Sequence, residues 1–248
     1  MQRFCDIITS RELTHDVFAI TLEAGALGEA AHPGQFLHIK CGEGLLLRRP
    51  ISICDCRDGY MKLIFRAVGP GTQWLSEKKS GTLDVLGPLG NGFSIEGHNI
   101  LLVGGGIGVP PLLYAARAAT GLVTAILGFP TADDVILKDH FRDVCKKVIL
   151  TTDDGSAGEL GLVTGPLERE LGAGKYDSVL ACGPTPMLRA VAALAERHDV
   201  PCQVSLEERM ACGVGACLGC TVAMRDGRNL RACHDGPVFD SQEVRWDG

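Results

Sequence analysis

Four cysteines near the C-terminal end constrain this chain most. The run reads Cys212-Gly-Val-Gly-Ala-Cys217-Leu-Gly-Cys220, followed by twelve residues and then Cys233. Three thiolates on one tight loop and a fourth further on match the plant-type iron–sulfur spacing. Gly213, Gly215 and Gly219 suit that chemistry, because glycine accepts positive φ and its bare amide approaches a cluster sulfur closely. Thiolates select soft metals, so a [2Fe-2S] cluster and structural zinc are the two rivals, with plain buried thiols as the bland alternative. Zinc modules usually carry two well-separated Cys pairs, whereas here three ligands fall within nine residues, and the spacing favours the cluster. Such a cluster moves one electron at a time, and the rest of the chain has to supply the other end of that transfer.

The 248 residues are 46% apolar and 22% charged with net charge −6 and no basic run, so one or two domains plus a small appendage are expected and nucleic acid is a poor partner. Seven further cysteines (Cys5, Cys41, Cys54, Cys56, Cys145, Cys182 and Cys202) are scattered, and the N-terminus lacks the apolar core of a signal peptide. Free thiols in a reducing cytoplasm are the expectation. The uncharged stretch Ile100–Ala116 holds four glycines and Pro110-Pro111. It reads as a buried strand, a turn and a helix, and not as a membrane span.

Up to about residue 97, short β-rich runs alternate with Gly/Pro turns: Cys5–Ser10, Val17–Leu22, Gln35–Ile39, Pro50–Cys54, Tyr60–Arg66 and Thr82–Leu86. Six strands at this spacing predict a small antiparallel β-barrel. Within it, Arg48-Arg49-Pro50-Ile51-Ser52 places guanidinium groups ahead of a strand, where one of them would fork onto a phosphate. An exposed arginine pair is the plain alternative. Val68-Gly69-Pro70-Gly71-Thr72 leads into a helical pattern at Thr72–Lys79 and offers either a phosphate turn or an ordinary one.

From Asn99 the pattern changes to strands at Ile100–Val103, Val123–Leu127, Val148–Thr151, Ser178–Ala181 and Pro201–Ser205. Helical runs separate them, notably Pro110–Ala119 and Thr185–Arg197 with its stripe Met187, Leu188, Val191 and Leu194. Alternation of this kind predicts a doubly wound parallel α/β sheet with ligands at the carboxyl ends of its strands. Two loops stand there: Gly104-Gly105-Gly106-Ile107-Gly108 and Cys182-Gly183-Pro184, each ending a strand and opening a helix where amides favour a dinucleotide pyrophosphate. After Val123–Leu127 come Asp133 and Asp134 with no Lys or Arg until Lys138. That pattern suits NAD and opposes the 2′-phosphate of NADP, although either aspartate would also serve to begin a helix.

The order of barrel with Arg-Pro-x-Ser, Gly-Thr turn, glycine-rich strand end and Cys-Gly-Pro resembles the ferredoxin–NADP reductase superfamily. The run Ser205-Leu-Glu-Glu-Arg-Met-Ala-Cys212 and the tail Cys233-His-Asp-Gly-Pro-Val-Phe look like the electron transfer subunits of the B-type dihydroorotate dehydrogenases. The resemblance spans nearly the whole chain. It implies an FAD-binding barrel over residues 1–97, an NAD-binding α/β domain over 98–203 and a [2Fe-2S] module over 204–248. Arg49, Pro50, Ile51 and Ser52 would line FAD, with Ile64, Phe65 and Arg66 on the neighbouring strand and Gly71 and Thr72 at the pyrophosphate or ribityl region. Cys212, Cys217, Cys220 and Cys233 would bind the cluster. Many superfamily members carry Arg-x-Tyr-Ser where this chain has Arg-Pro-Ile-Ser, so the tyrosine that stacks on their flavin is missing.

The activity implied is oxidoreductase electron transport in de novo pyrimidine biosynthesis, from the FMN of a catalytic partner through the cluster and FAD to NAD+. A flavin belongs between a two-electron nicotinamide and a one-electron cluster. No side chain is needed as general acid or base, and Cys182 would sit near the nicotinamide or be simply a small buried strand-end residue. The expected assembly is a heterotetramer of two of each chain, cytoplasmic, without membrane or nucleic acid. The alternative is an NADH-dependent reductase subunit of a ferredoxin- or hydrogenase-linked complex. Val214, Ala216 and Leu218, with no charge between Cys212 and Cys220, predict an exposed apolar docking patch on the cluster loop; inward packing is the plain alternative.

Overall fold

Strands in which alternate side chains turn inward build the first part of the molecule. The computed structural model describes residues 1–247. Strands β1 (Gln2–Thr14), β2 (Val17–Glu23), β3 (Phe36–Ile39), β4 (Arg49–Arg57), β5 (Tyr60–Arg66) and β6 (Thr82–Leu89) close into a barrel in the order β1-β2-β5-β4-β3-β6. Every pairing is antiparallel. Ile20, Leu22, Leu37, Ile39, Ile53, Met61 and Leu63 fill its interior and are buried. Helix α1 (Ala26–Glu29) and helix α2 (Pro70–Ser76) interrupt the strands. β1 extends well beyond the Cys5–Ser10 run because register shifts near Ile7/Thr9 and Glu12/Thr14 bend it along both β2 and β6.

The second part is the expected doubly wound sheet. Strands β7 (Asn99–Gly105), β8 (Leu122–Phe129), β9 (Lys147–Thr152), β10 (Glu159–Leu160), β11 (Ser178–Cys182) and β12 (Cys202–Ser205) are mutually parallel. Helices α3 (Val109–Ala118), α4 (Lys138–Arg142), α5 (Thr164–Ala173) and α6 (Thr185–Arg197) connect them. The spatial order runs β10-β9-β8-β7-β11-β12. The chain therefore winds one way from β7 and then returns to lay β11 on the other side, which makes the β7/β11 boundary the switch point where such sheets open a crevice.

One edge of this sheet departs from the all-parallel expectation. The C-terminal stretch forms a hairpin, β13 (Thr221–Ala223) with β14 (Asn229–Arg231), and then β15 (Val238–Asp240), which pairs antiparallel with β12. β15 joins because Phe239 buries in one core with Phe36, Leu206, Cys220 and Cys233, and the pairing covers an otherwise open strand edge. The Asn91 side chain donates to the Asp235 carbonyl at 3.0 Å, so the same segment is also tied to the end of the barrel.

The barrel and sheet share an apolar seam. Cys54 and Ile64 on the outer face of β4 and β5 pack with Val109 and Leu112 of α3 in one cluster. The Tyr114 hydroxyl donates to the Ala31 carbonyl at 2.8 Å and Arg117 pairs with Asp55 at 2.9 Å. Among the described residues no helix is long and apolar enough to cross a membrane.

Candidate flavin, nicotinamide and cluster sites

The two arginines ahead of β4 have different roles. Arg48 is half-buried and donates to both carboxylate oxygens of Asp84 at 2.9 Å and to the Asp84 carbonyl at 2.9 Å, which fixes it between strands. Arg49 reaches only backbone carbonyls, Leu47 at 2.6 Å and Arg48 at 3.3 Å. Its guanidinium lies over Gly71: a Cβ added there would stand 2.5 Å from Nε and 2.9 Å from Cζ. Glycine at 71 is thus what lets α2 approach the arginine, which leaves a guanidinium without a carboxylate partner beside the first turn of α2. The Thr72 hydroxyl is engaged locally, accepting from the amides of Val68 at 3.0 Å and Gly69 at 3.2 Å, so it shapes this turn.

Along β4 and β5 the period-two alternation sorts the other residues. Ile51 and Phe65 turn into the barrel, where Phe65 stacks on Phe18 at 6.1 Å between centroids. Pro50, Ser52, Ile64 and Arg66 fall on the opposite face, where Ile64 packs into the seam with the second part of the molecule. Arg66 is partly exposed and pairs with Asp16 at 3.0 Å.

At the switch point the two strand-end loops meet with no room for side chains. A Cβ on Gly108 would lie 2.5 Å from the Cys182 carbonyl carbon and 2.5 Å from the Gly183 amide nitrogen, and one on Gly105 would lie 2.5 Å from Met187 Sδ and 3.1 Å from Pro184 Cδ. Gly104 is closed over by Val109 and Leu112, while Gly106 has φ +52 and open space beside it. The loops therefore present backbone at the mouth of the crevice, as a close-approaching pyrophosphate requires. Burial pushes the Cys182 thiol up to about 12, against the pull of Ser205, which leaves it unreactive. Of the two aspartates beyond β8, Asp134 accepts from the Thr131 amide at 3.1 Å and hydroxyl at 2.8 Å, and closes a local turn. Asp133 is exposed and makes no such bond.

The cysteine loop folds as its glycines dictate. Gly213 and Gly215 have φ of +72 and +78, and Leu218 takes φ +58 despite its side chain, a strained conformation of the kind found around ligand clamps. Amides point at sulfur: Val214 to Cys212 Sγ at 3.5 Å, Gly215 to Cys233 Sγ at 3.1 Å, and Cys233 to Cys220 Sγ at 3.4 Å. Burial opposes ionisation of Cys212, yet the amides of Val214, Cys217 and Ala216 outweigh it and pull the thiol down to about 6. Burial, and then Cys220 beside it, push Cys233 up to about 12, so a cation is needed to hold that group as thiolate. Cys233 lies beside Cys220, whose sulfur its own amide addresses, and Gly215 ties the Cys233 sulfur to the loop. Among the described residues no three His, Cys, Asp or Glu side chains converge on one point.

Arg231 and Asp235 brace the loop from below. Arg231 donates to Asp235 through Nε at 2.8 Å and Nη2 at 2.9 Å, and through Nη1 to the Gly215 carbonyl at 3.1 Å. That guanidinium holds the Asp235 carboxyl well below the usual carboxylate range. Neither residue, nor His38 on β3, stands out in the sequence. His38 is fully buried, and burial followed by the Arg48 charge drives its pKa down to about 4. The available signal was a lone histidine inside the otherwise apolar β3 run, Phe-Leu-His-Ile.

An antiparallel barrel with an arginine against a helix turn, a parallel sheet with glycine-rich strand ends at its switch point and a four-cysteine module together define a flavin- and nicotinamide-dependent reductase carrying an iron–sulfur module. Residues 207–245 match the family described as the iron-sulfur cluster binding domain of dihydroorotate dehydrogenase B. Over 244 residues the chain is 41% identical to the dihydroorotate dehydrogenase B (NAD(+)), electron transfer subunit of Caldanaerobacter subterraneus subsp. tengcongensis, covering 96% of each. It is 43% identical over 254 residues to the protein of the same name from Bacillus caldolyticus, again covering 96% of each. A solved structure of the NADH-dependent reduced ferredoxin-NADP oxidoreductase superposes with TM-score 0.90 at 36% identity, over 98% of this chain and 90% of that one. The chain belongs to the family of dihydroorotate dehydrogenase B (NAD(+)) electron transfer subunits.

Proposed function

We propose that this chain links a dihydroorotate-oxidising catalytic subunit to NAD+ in de novo pyrimidine biosynthesis, with FAD, a [2Fe-2S] cluster and a nicotinamide nucleotide bound along its length. The observation that carries the reading is the conjunction of three features in one chain: the Arg49–Gly71 contact, the Gly108–Cys182 backbone contact and the backbone amides directed at Cys212, Cys220 and Cys233. When bound, FAD exchanges a hydride with the nicotinamide and single electrons with the cluster, which couples the two kinds of carrier.

The chain's own residues bind and align. Arg49 holds an FAD phosphate as a charged fork, with Gly71 giving the backbone room and Thr72 shaping the turn. Pro50, Ser52, Ile64 and Arg66 line the outer barrel face, while Ile51 and Phe65 support it from inside. Gly104, Gly105, Gly106 and Gly108 with Gly183 and Pro184 would receive the nicotinamide nucleotide at the switch point, where buried Cys182 packs against Gly108 through its backbone. Cys212, Cys217, Cys220 and Cys233 supply the thiolates, and directed amides stabilise their charge. No side chain moves a proton in this scheme.

Val214 and Leu218, 51% and 64% exposed, stand on the cluster loop as an apolar surface for the FMN-containing catalytic subunit. Two copies of each chain in a cytoplasmic heterotetramer complete the proposal, and the eleven unpaired cysteines accord with a reducing compartment. A second reading, a subunit of a ferredoxin-linked NADH complex, draws support from the 36%-identical solved structure. Co-expression with the catalytic subunit decides between them. Dihydroorotate-dependent reduction of NAD+ by the purified pair is expected; ferredoxin-dependent activity without turnover of dihydroorotate would overturn the assignment.

A further inference from the structure

His38 sits where the flavin strand and the cluster loop touch. On β3, His38 lies directly across the ladder from Pro50, and Phe36 lies across from Ser52. Directly opposed residues share a face, so the row that fronts the proposed flavin site on β4 has Phe36 and His38 as its next neighbours, about 4.8 Å away by strand spacing. On that shared face the second row leads from β4 to the cysteine module. Phe36 packs into the core that holds Cys220 and Cys233, and the His38 ring lies edge-on to Phe36 with centroids 6.4 Å apart.

The ring is also pressed against the cluster loop. A Cβ on Gly213 would fall within overlap of Nδ1, 3.1 Å from Cε1 and 3.2 Å from Cγ. The glycine next to Cys212 is therefore required by His38 as well as by its own φ of +72. The side chain is 0% exposed, neither ring nitrogen has a partner at full hydrogen-bond geometry, and the backbone of Arg48, just ahead of the flavin strand, and of Cys212, on the cluster loop, lies close enough to interact with the ring. Burying an imidazole with only such loose backbone contacts to the two segments is costly, and leucine or phenylalanine would fill the same space at less cost. A polar ring here is explained by a requirement of the seam and not by packing.

We propose that His38 is a positioning residue that registers the cluster loop on the flavin strand and so sets the separation and relative orientation of the two cofactor sites. It forms and breaks no bond and carries no electron; each electron leaving one cofactor enters the other. This inference rests on the functional reading above, that FAD lies on β4 and the cluster on the Cys212 loop.

The test uses the full chain in complex with its catalytic subunit, comparing parent, His38→Gln and His38→Leu. Iron and FAD contents come first, because their absence from the parent would defeat the functional reading and not this one. Anaerobic stopped-flow with NADH then separates flavin bleaching from cluster reduction, and electron paramagnetic resonance reports the reduced cluster. With the parent's cofactor content, His38→Leu is expected to leave the flavin phase within about twofold and slow the cluster phase by about ten- to a hundredfold, the range a small misplacement produces. Glutamine, which retains a donor and an acceptor, is expected to restore part of that loss. Loss of the cluster with FAD retained in both variants also supports the role. Cluster reduction at the parental rate in both variants would overturn it, as would equal loss of FAD and cluster, which marks a residue needed only for folding.

Discussion

Replacing Arg49 and Arg48 in turn separates a ligand-holding arginine from a structural one. Arg49 bonds only to the Leu47 and Arg48 carbonyls and to no carboxylate among the described residues, so Arg49→Ala leaves no buried charge behind. Its loss removes a charge-assisted contact to phosphate of about 1.5–3 kcal/mol, equivalent to about ten- to a hundredfold in FAD affinity. Arg49→Lys is expected to recover part of this as a point charge without the fork. Arg48→Ala behaves differently, because it strands Asp84, whose side chain is only 14% exposed and which Arg48 meets twice at 2.9 Å. About 3 kcal/mol is expected there, the low end for a broken buried pair since both groups keep some solvent. For a chain of this size that is a melting shift of about 6–12 °C. The assays are FAD titration of the apoprotein and thermal unfolding of the same preparations. FAD affinity unchanged in Arg49→Ala, or melting unchanged in Arg48→Ala, would refute the division of roles.

Three further outcomes are expected. Cys217→Ser should abolish cluster absorption while the barrel keeps FAD, since Cys217 is exposed at the loop tip and contributes nothing to the cores. The purified protein should show a higher kcat/KM with NADH than with NADPH in an artificial-acceptor assay, because exposed Asp133 and the absence of Lys or Arg before Lys138 disfavour a 2′-phosphate; equal values would contradict this. Leu218→Glu should leave both cofactors in place and weaken co-purification with the catalytic subunit, and stoichiometric recovery at the parental rate would show that the loop is not the docking surface.

The elements legible in the sequence are those whose information is local. β5 and α6 match their runs residue for residue, because alternation in one and a stripe of Leu188, Val191 and Leu194 in the other record which face is buried. The run Cys5–Ser10 stops short of the end of β1, since Arg11 and Glu12 are charged and only pairing with Ala19 and Phe18 keeps them in the strand. β15 was hidden for a similar reason: three residues after a proline carry no strand signal until β12 offers an edge. The resemblance singles out Arg49 of the arginine pair, but the residues alone do not show that Arg48 is held by a carboxylate, because Asp84 lies 36 residues away in sequence. His38 acquires meaning only from Gly213, on a loop that folding brings back across the barrel.

The most direct test of the account is the visible spectrum of the purified chain, taken anaerobically before and after NADH and paired with iron, acid-labile sulfide, zinc and FAD determinations. The expected result is a coloured protein with about two irons, two sulfides and one FAD per chain, in which NADH bleaches the flavin and then the cluster. A colourless chain with stoichiometric zinc, or a flavin that NADH reduces without any change in the iron–sulfur absorption, would contradict it.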